Sequence, residues 1–300
     1  MIVAVVAALV WTIRKAFVDF QQQPIQLSEI DFSKLALAAV VYIGAMLMSW
    51  IFWYQVLISL KQKPRLLKSL GAFLISQLGK YVPGKAMVIV IRTDRVRDDK
   101  VSIAPAAASV FVETFAWIFV GSAIASGLLI VKFQDFRWLQ ILAVLLMIGA
   151  GVVTWPPIFN WLATKIRPIN SKRHNYAVDL RTMLTGWVAL AIGWLLNGIC
   201  LWLVVSALPG ANPTIADILV TLAAVTLATV GGFVSLIPGG LGVRELVMIP
   251  LLGSQFGTVI AVMAAILVRL VWLSAELVSS AILYVTEHWI EKRRSKNGKS

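Results

Sequence analysis

The sequence predicts an all-α fold: a polytopic transmembrane helical bundle, residues 1–300 forming one integral membrane domain, with two re-entrant or broken helices. Three observations carry that reading. The chain is 59% hydrophobic and only 14% charged over 300 residues, with a mean hydropathy of +0.86, and a soluble domain of this size has no way to bury so much apolar surface. Apolar windows of membrane-spanning length recur along it. Two of them contain a charged Pro-Gly break, Gln77-Leu78-Gly79-Lys80-Tyr81-Val82-Pro83-Gly84-Lys85 and Ile237-Pro238-Gly239-Gly240-Leu241-Gly242-Val243-Arg244-Glu245.

The windows lie near residues 1–20, 35–60, 71–91, 103–131, 138–158, 184–208, 214–238 and 246–286. The first lacks a basic leader and a small-residue cleavage site, so it reads as a retained anchor. The second, fourth, fifth and sixth read as plain spans. The third and seventh are the broken ones, interrupted at Pro83, Gly84, Pro238, Gly239 and Gly240. Pro removes a donor and ends a helix, and Gly admits backbone shapes that other residues resist. Lipid cannot satisfy the freed groups, so each break is expected to be buried in protein or to line a polar cavity. The last window is too long for one span. Pro250, Gly253 and Gly257 cut it, leaving a long helix over 258–288.

Three connections are strongly basic. One runs from Lys61 to Lys100 and includes Lys63, Arg65, Lys68, Arg92, Arg95 and Arg97; one holds Lys165, Arg167, Lys172, Arg173 and Arg181; the third is the tail from Lys292 to Lys299. The positive-inside bias places all three, and the C-terminus, in the cytoplasm. The connections near 21–34, 132–137 and 209–216 then lie outside. Arg14 and Lys15 run against this scheme and are outweighed by the larger clusters. The segment 69–92 has both ends cytoplasmic and must dip in and return, while 214–245 dips from the opposite face. That is the inverted topology of many transporters, although the two halves share little sequence beyond the Pro-Gly itself.

Charges inside apolar segments are functional-site candidates by default, because each costs roughly 2.5–3.5 kcal/mol at the membrane centre. Glu113 interrupts one span, and Arg269 and Glu276 interrupt the last. Seven residues apart, the latter two share a helix face. Glu113 is expected to pair with Arg269 or with a charge in a Pro-Gly segment. Such a pair also serves simply to fix helix packing, and Arg244 and Glu245 read equally as neighbours at a helix start. The Arg269 guanidinium suits bidentate phosphate binding. Lys80 and Lys85 flank a break whose free amides can join them on an anion, or they snorkel to the interface. The run 92–100 reads as a solvated loop, or as a holder of anionic headgroups at the inner surface. Trp50, Trp53, Trp117, Trp155, Trp161, Trp187 and Trp194 read mostly as interface anchors.

Several classes are excluded. The net charge of +13 lies beside hydrophobic spans, which is the pattern of topology and anionic lipid rather than of nucleic acid. The single cysteine, Cys200, provides no disulfide framework, and His174 and His288 are far apart, so no metal site and no cofactor is expected. Nucleotide-binding and metalloprotease signatures are absent. The acidic cluster of Asp94, Asp98 and Asp99 is interleaved with Arg and Lys, which disfavours a metal there.

Taken in order, Gly79-Lys80-Tyr81-Val82-Pro83-Gly84-Lys85, Glu113, Pro238-Gly239-Gly240-Leu241-Gly242-Val243-Arg244-Glu245 and Arg269 resemble the transmembrane region of lysylphosphatidylglycerol synthase, the flippase-like domain family. The resemblance covers essentially the whole chain; Thr114 departs from it, since an Arg often follows the Glu in that family. It implies a membrane domain that moves aminoacylated or other lipids between leaflets of a bacterial or archaeal plasma (inner) membrane. Bifunctional members make the aminoacyl-lipid in a separate cytoplasmic domain not represented here, so the resemblance argues against enzyme activity and for a stand-alone flippase-like protein. The expected partner is a membrane phospholipid with an anionic or aminoacylated headgroup. Lys80, Lys85, Arg244 and Arg269 are expected to neutralise its phosphate, and Glu113, Glu245 and Glu276 to hold those cations or meet a cationic group. The alternatives are a membrane enzyme acting on lipid- or polyprenyl-linked glycan, and a subunit that assists a separate lipid-modifying enzyme.

Overall fold

The computed structural model describes Arg14, Val18 and residues 27–82, 86–98, 100–132, 137–165, 177–235, 237, 240 and 242–297. The expected anchor near 1–20, and Pro83, Gly84, Lys85, Pro238, Gly239 and Leu241, lie outside those residues or almost wholly so. The described elements are helical: α1 (Phe32–Ser59), α2 (Leu66–Gln77), α3 (Ala86–Val96), α4 (Ile103–Lys132), α5 (Arg137–Thr154), α6 (Pro156–Lys165), α7 (Leu180–Ser206), α8 (Ile218–Val234), α9 (Val243–Phe256) and α10 (Thr258–Asn297). Short 3-10 turns lie at Leu27–Glu29, Leu78–Tyr81 and Ile215–Asp217. Six of the helical segments are long and apolar enough to cross a bilayer, so this is an integral membrane bundle.

Local chemistry sets the helix ends. Asp31 caps α1, its carboxylate accepting from the Ser33 and Lys34 backbone N–H groups at 3.0 and 3.3 Å. Before α8, the Thr214 N–H donates to Asp217 at 2.7 Å. Gly257, at φ +83°, separates α9 from α10 in the left-handed region that glycine tolerates. Pro250 and Gly253 do not break the chain but sit within α9, so the cut falls at the last of the three candidates.

At about 1.5 Å per residue, the 12-residue α2 and the 11-residue α3 are each too short to cross a hydrocarbon core of about 30 Å. They pack on each other as a hairpin around the first break, and α8 and α9 do the same around the second. The hairpins enter from opposite faces. At one face, the Ser102 N–H donates to Gln62 Oε1 at 2.9 Å, Lys68 meets Asp98 at 3.5 Å, and Ser59 donates to the Ala177 carbonyl at 3.2 Å. At the other, the Asp31 N–H donates to the Ala207 carbonyl at 3.0 Å, and Gln255 donates to Asp217 at 3.0 Å.

The helix contacts are symmetric. Exchanging α1 with α7, α2 with α8, α3 with α9 and α4 with α10 turns the pairs α1–α2, α2–α3, α3–α4, α1–α4, α1–α10 and α2–α10 into α7–α8, α8–α9, α9–α10, α7–α10, α4–α7 and α4–α8, all of which are formed. The self-paired contact α1–α7 forms the centre. Helices α5 and α6 stand outside this scheme, α5 packing on α4. The bundle is therefore two inverted repeats, each a span, a broken hairpin and a long helix.

Two sequence expectations are corrected here. Residues 92–96 belong to α3 rather than to a solvated loop, and Arg92 is 2% exposed. Trp53 and Trp194 are core residues rather than interface anchors: Trp53 donates to Ser109 at 2.8 Å, and Trp194 donates to the Trp117 carbonyl at 3.1 Å while its ring lies 4.3 Å from that of Trp117. Trp155 and Trp161 are exposed, as an anchor requires.

Candidate functional site

The two breaks meet a common cavity of about 370 Å³ inside the bundle. Its charged wall residues are Lys80 from the turn after α2, Arg92 from α3, Glu113 from α4 and Arg244 from α9. Tyr42, Ser49, Gln77, Thr114, Asn197 and Thr229 add uncharged polar groups, and Phe73, Phe115, Trp117, Phe233 and Trp272 add aromatic surface. Phe111 of α4 also lines it and is 47% exposed.

Each buried charge is placed by a hairpin packed against a long helix. In the first repeat, Arg92 donates to Glu113 at 3.0 Å and through Nε to the Ser76 hydroxyl at 2.9 Å. Its guanidinium lies 4.3 Å from the Phe73 ring centre and 5.2 Å from that of Trp53, a cation–π clamp on a desolvated cation. In the second repeat, Arg269 of α10 meets Glu245 of α9 at 2.6 Å. The exchange that relates the repeats thus carries one hairpin-to-long-helix ion pair onto another with its sign reversed. Glu113 and Arg269 each stand about 15–17 Å along helices that start at opposite faces, which is near the middle of a hydrocarbon core.

A third pair joins the repeats. Lys80 of the first meets Glu276 of α10, which has no exposed surface, and the Tyr42 hydroxyl of α1 donates to the same carboxylate oxygen. Tyr42 stacks on Trp272 at 5.6 Å, and Trp272 in turn lies 5.3 Å from the Arg244 guanidinium. These contacts link the second break to the first through one aromatic pair.

The structure brings together Lys80, Glu113 and Arg244 at the cavity wall, with Glu276 directly behind Lys80. Arg269 and Glu245 sit behind Arg244, around a much smaller void that also touches Trp272, and neither lines the cavity. Gly240 lines it, and Lys85 lies outside the described residues. Neither partner expected for Glu113 is the one found: Arg269 pairs with Glu245, and Glu113 pairs with Arg92, about two turns beyond the first Pro-Gly segment. Sequence reasoning missed Arg92 and Tyr42 as site residues. The available signal for Arg92 was its position: the first charge after the apolar stretch Ala86–Ile91.

Among the described residues, no group of His, Cys, Asp or Glu is arranged to hold a metal ion. Asp98 is engaged otherwise. Burial raises its carboxyl, but the Lys100 N–H and the Lys68 ammonium outweigh that and hold it below the ordinary carboxylate range.

In comparison with known proteins, the family model described as lysylphosphatidylglycerol synthase TM region matches residues 2–275. No curated protein matches the chain.

Proposed function

We propose a function from one premise: the chain belongs to the lysylphosphatidylglycerol synthase transmembrane region family. The protein takes a phospholipid headgroup into the cavity between its two hairpins and passes it from one leaflet to the other. The acyl chains stay in the bilayer along the Phe111 side. It acts without catalysis, as a lipid flippase of the plasma membrane, with its basic face and C-terminus in the cytoplasm.

The observation that carries this reading is the cavity itself, charged inside, walled by both broken hairpins and lined on one side by the half-exposed Phe111. Charges at the membrane centre are retained for substrate pathways, and a site at the interface of inverted repeats suits alternating access. Rocking one repeat against the other exposes the site to each leaflet in turn.

The test is reconstitution in liposomes with a fluorescent phospholipid and a membrane-impermeant quencher outside. Wild-type protein is expected to render lipid of the inner leaflet quenchable. Ser49→Trp, which fills the cavity from α1, is expected to remove that gain while the protein stays folded. No gain with wild-type protein over several anionic and aminoacylated lipids overturns the proposal and turns attention to an accessory role beside a separate lipid-modifying enzyme.

A further inference from the structure

The charges of the cavity do not balance, and the imbalance bears on the lipid. Lys80 is committed to Glu276, and Arg92 to Glu113. Arg244 forms no ion pair among the described residues, and its Nε has no hydrogen-bond acceptor there. The residues beside the breaks that are not described, 83–85, 236, 238–239 and 241, include no acid, and Lys85 adds only positive charge.

The chain makes room for this guanidinium. A Cβ on Gly232 would stand 2.6 Å from Arg244 Cγ, and one on Gly240 would stand 2.8 Å from Arg244 Nε. Gly240 also has φ +67°. Trp272 holds the cation from another side without cancelling its charge. Two glycines and an aromatic ring thus seat one uncompensated cation at the wall of a low-dielectric cavity, where an unpaired charge is costly until a counter-charge arrives.

We infer that the cavity selects a lipid headgroup of one net negative charge, a phosphodiester with an uncharged hydroxyl-bearing group, over an aminoacylated headgroup of net positive charge. This rests on the lipid-binding reading above and narrows its substrate. The phosphodiester oxygens take the Arg244 guanidinium in a charge-assisted contact. Ser49, Gln77 and Asn197 offer neutral partners to hydroxyls. Among the described residues, no carboxylate at the cavity wall is free of a cation for an ammonium group to take. Claiming Glu113 or Glu276 would strand Arg92 or Lys80 without its partner.

The experiment is competition binding of fluorescent phosphatidylglycerol to the purified protein in neutral nanodiscs, read by anisotropy. Unlabelled phosphatidylglycerol is expected to compete about tenfold better than its lysyl ester, because both present the phosphodiester but the ester brings ammonium groups into the cavity without a counter-charge. Arg244→Gln is expected to abolish that preference, and Lys68→Gln, a surface control, to keep it. Thr114→Glu puts an acid into the cavity wall and is expected to move the preference towards the lysyl ester, which gives a second route should Arg244→Gln fold poorly. A wild-type preference for the lysyl ester, or an unchanged preference in folded Arg244→Gln, overturns the assignment. Binding preference without movement in liposomes counts against translocation and supports the headgroup assignment. Movement of the lysyl ester in preference does the reverse.

Discussion

Glu276 lies wholly inside the bundle, and its charge is tolerated because Lys80 and Tyr42 both turn to it. Removing one partner of such a pair costs more than removing both, since the survivor stays desolvated without compensation. Lys80→Met is therefore expected to destabilise the protein by about 3–5 kcal/mol. The double change Lys80→Met/Glu276→Gln is expected to recover more than half of that loss, because the Gln amide oxygen still accepts from Tyr42. Unfolding titrations in detergent of the wild type, both single variants and the double variant check this. Equal losses in Lys80→Met and in the double variant would mean that the pair carries no coupling. The sequence marked Glu276 as a charge inside a span and Lys80 as a cation beside a break, but could not join them. They lie 196 residues apart, and only the packing of the first hairpin on α10 brings them together. Arg92 was hidden for a different reason. It opens the string Arg-Thr-Asp-Arg-Val-Arg-Asp-Asp-Lys, whose local composition is that of a solvated loop, and nothing in that string reports the aromatic clamp of Phe73 and Trp53.

At the scale of elements, a hairpin with no room to span must hold its two arms close, and Gly79 is where they touch. A Cβ there would meet the Val88 backbone nitrogen at 2.8 Å and the Met87 carbonyl carbon at 2.9 Å. Backbone cannot rotate away as a side chain can, so Gly79→Ala is expected to part the arms and to cost about 1–3 kcal/mol, the usual scale of overpacking. Gly127 in α4 is the contrast, because a Cβ there meets nothing within 4 Å. Gly127→Ala is expected to raise stability by about 0.5–1 kcal/mol through helix propensity alone. Melting temperatures of the two variants in the same detergent decide between these signs. The breaks were legible because Pro and Gly interrupt an apolar run in a way that water-excluded backbone cannot ignore. The buried faces of α1 and α7 were not legible. Lipid is as apolar as a protein core, so a helix that turns Trp53 or Trp194 inward has no polar side to betray its orientation.

For the whole molecule, the exchange of repeats governs what motion is open to it. The contact pairs that the exchange relates are conserved in kind but need not be equal in closeness, and a rocking motion interconverts them. The ion pairs Arg92–Glu113 and Glu245–Arg269 lie within their own repeats and travel with them. The Lys80–Glu276 and Arg95–Glu287 pairs both cross from the first hairpin to α10 of the second repeat, and no ion pair among the described residues joins α4 to the second hairpin as their counterpart would. Rocking must therefore part Lys80 from Glu276 and Arg95 from Glu287, or swing α10 with the first hairpin. A cross-link at this point tests which. In a Cys200→Ala background, Lys80→Cys/Glu276→Cys is measured in liposomes before cross-linking with a short reducible reagent, after it, and after reduction. If the repeats rock, cross-linking is expected to stop lipid movement that the uncross-linked double variant retains, and reduction to restore it. Lys63→Cys/Lys100→Cys ties two loops of the first repeat, whose backbones already meet at 3.3 Å, and is expected to leave movement unchanged under the same reagent. Undiminished movement through a fully cross-linked Lys80→Cys/Glu276→Cys protein would show that the first hairpin and α10 move as one body, and the parting of the repeats would then have to lie elsewhere.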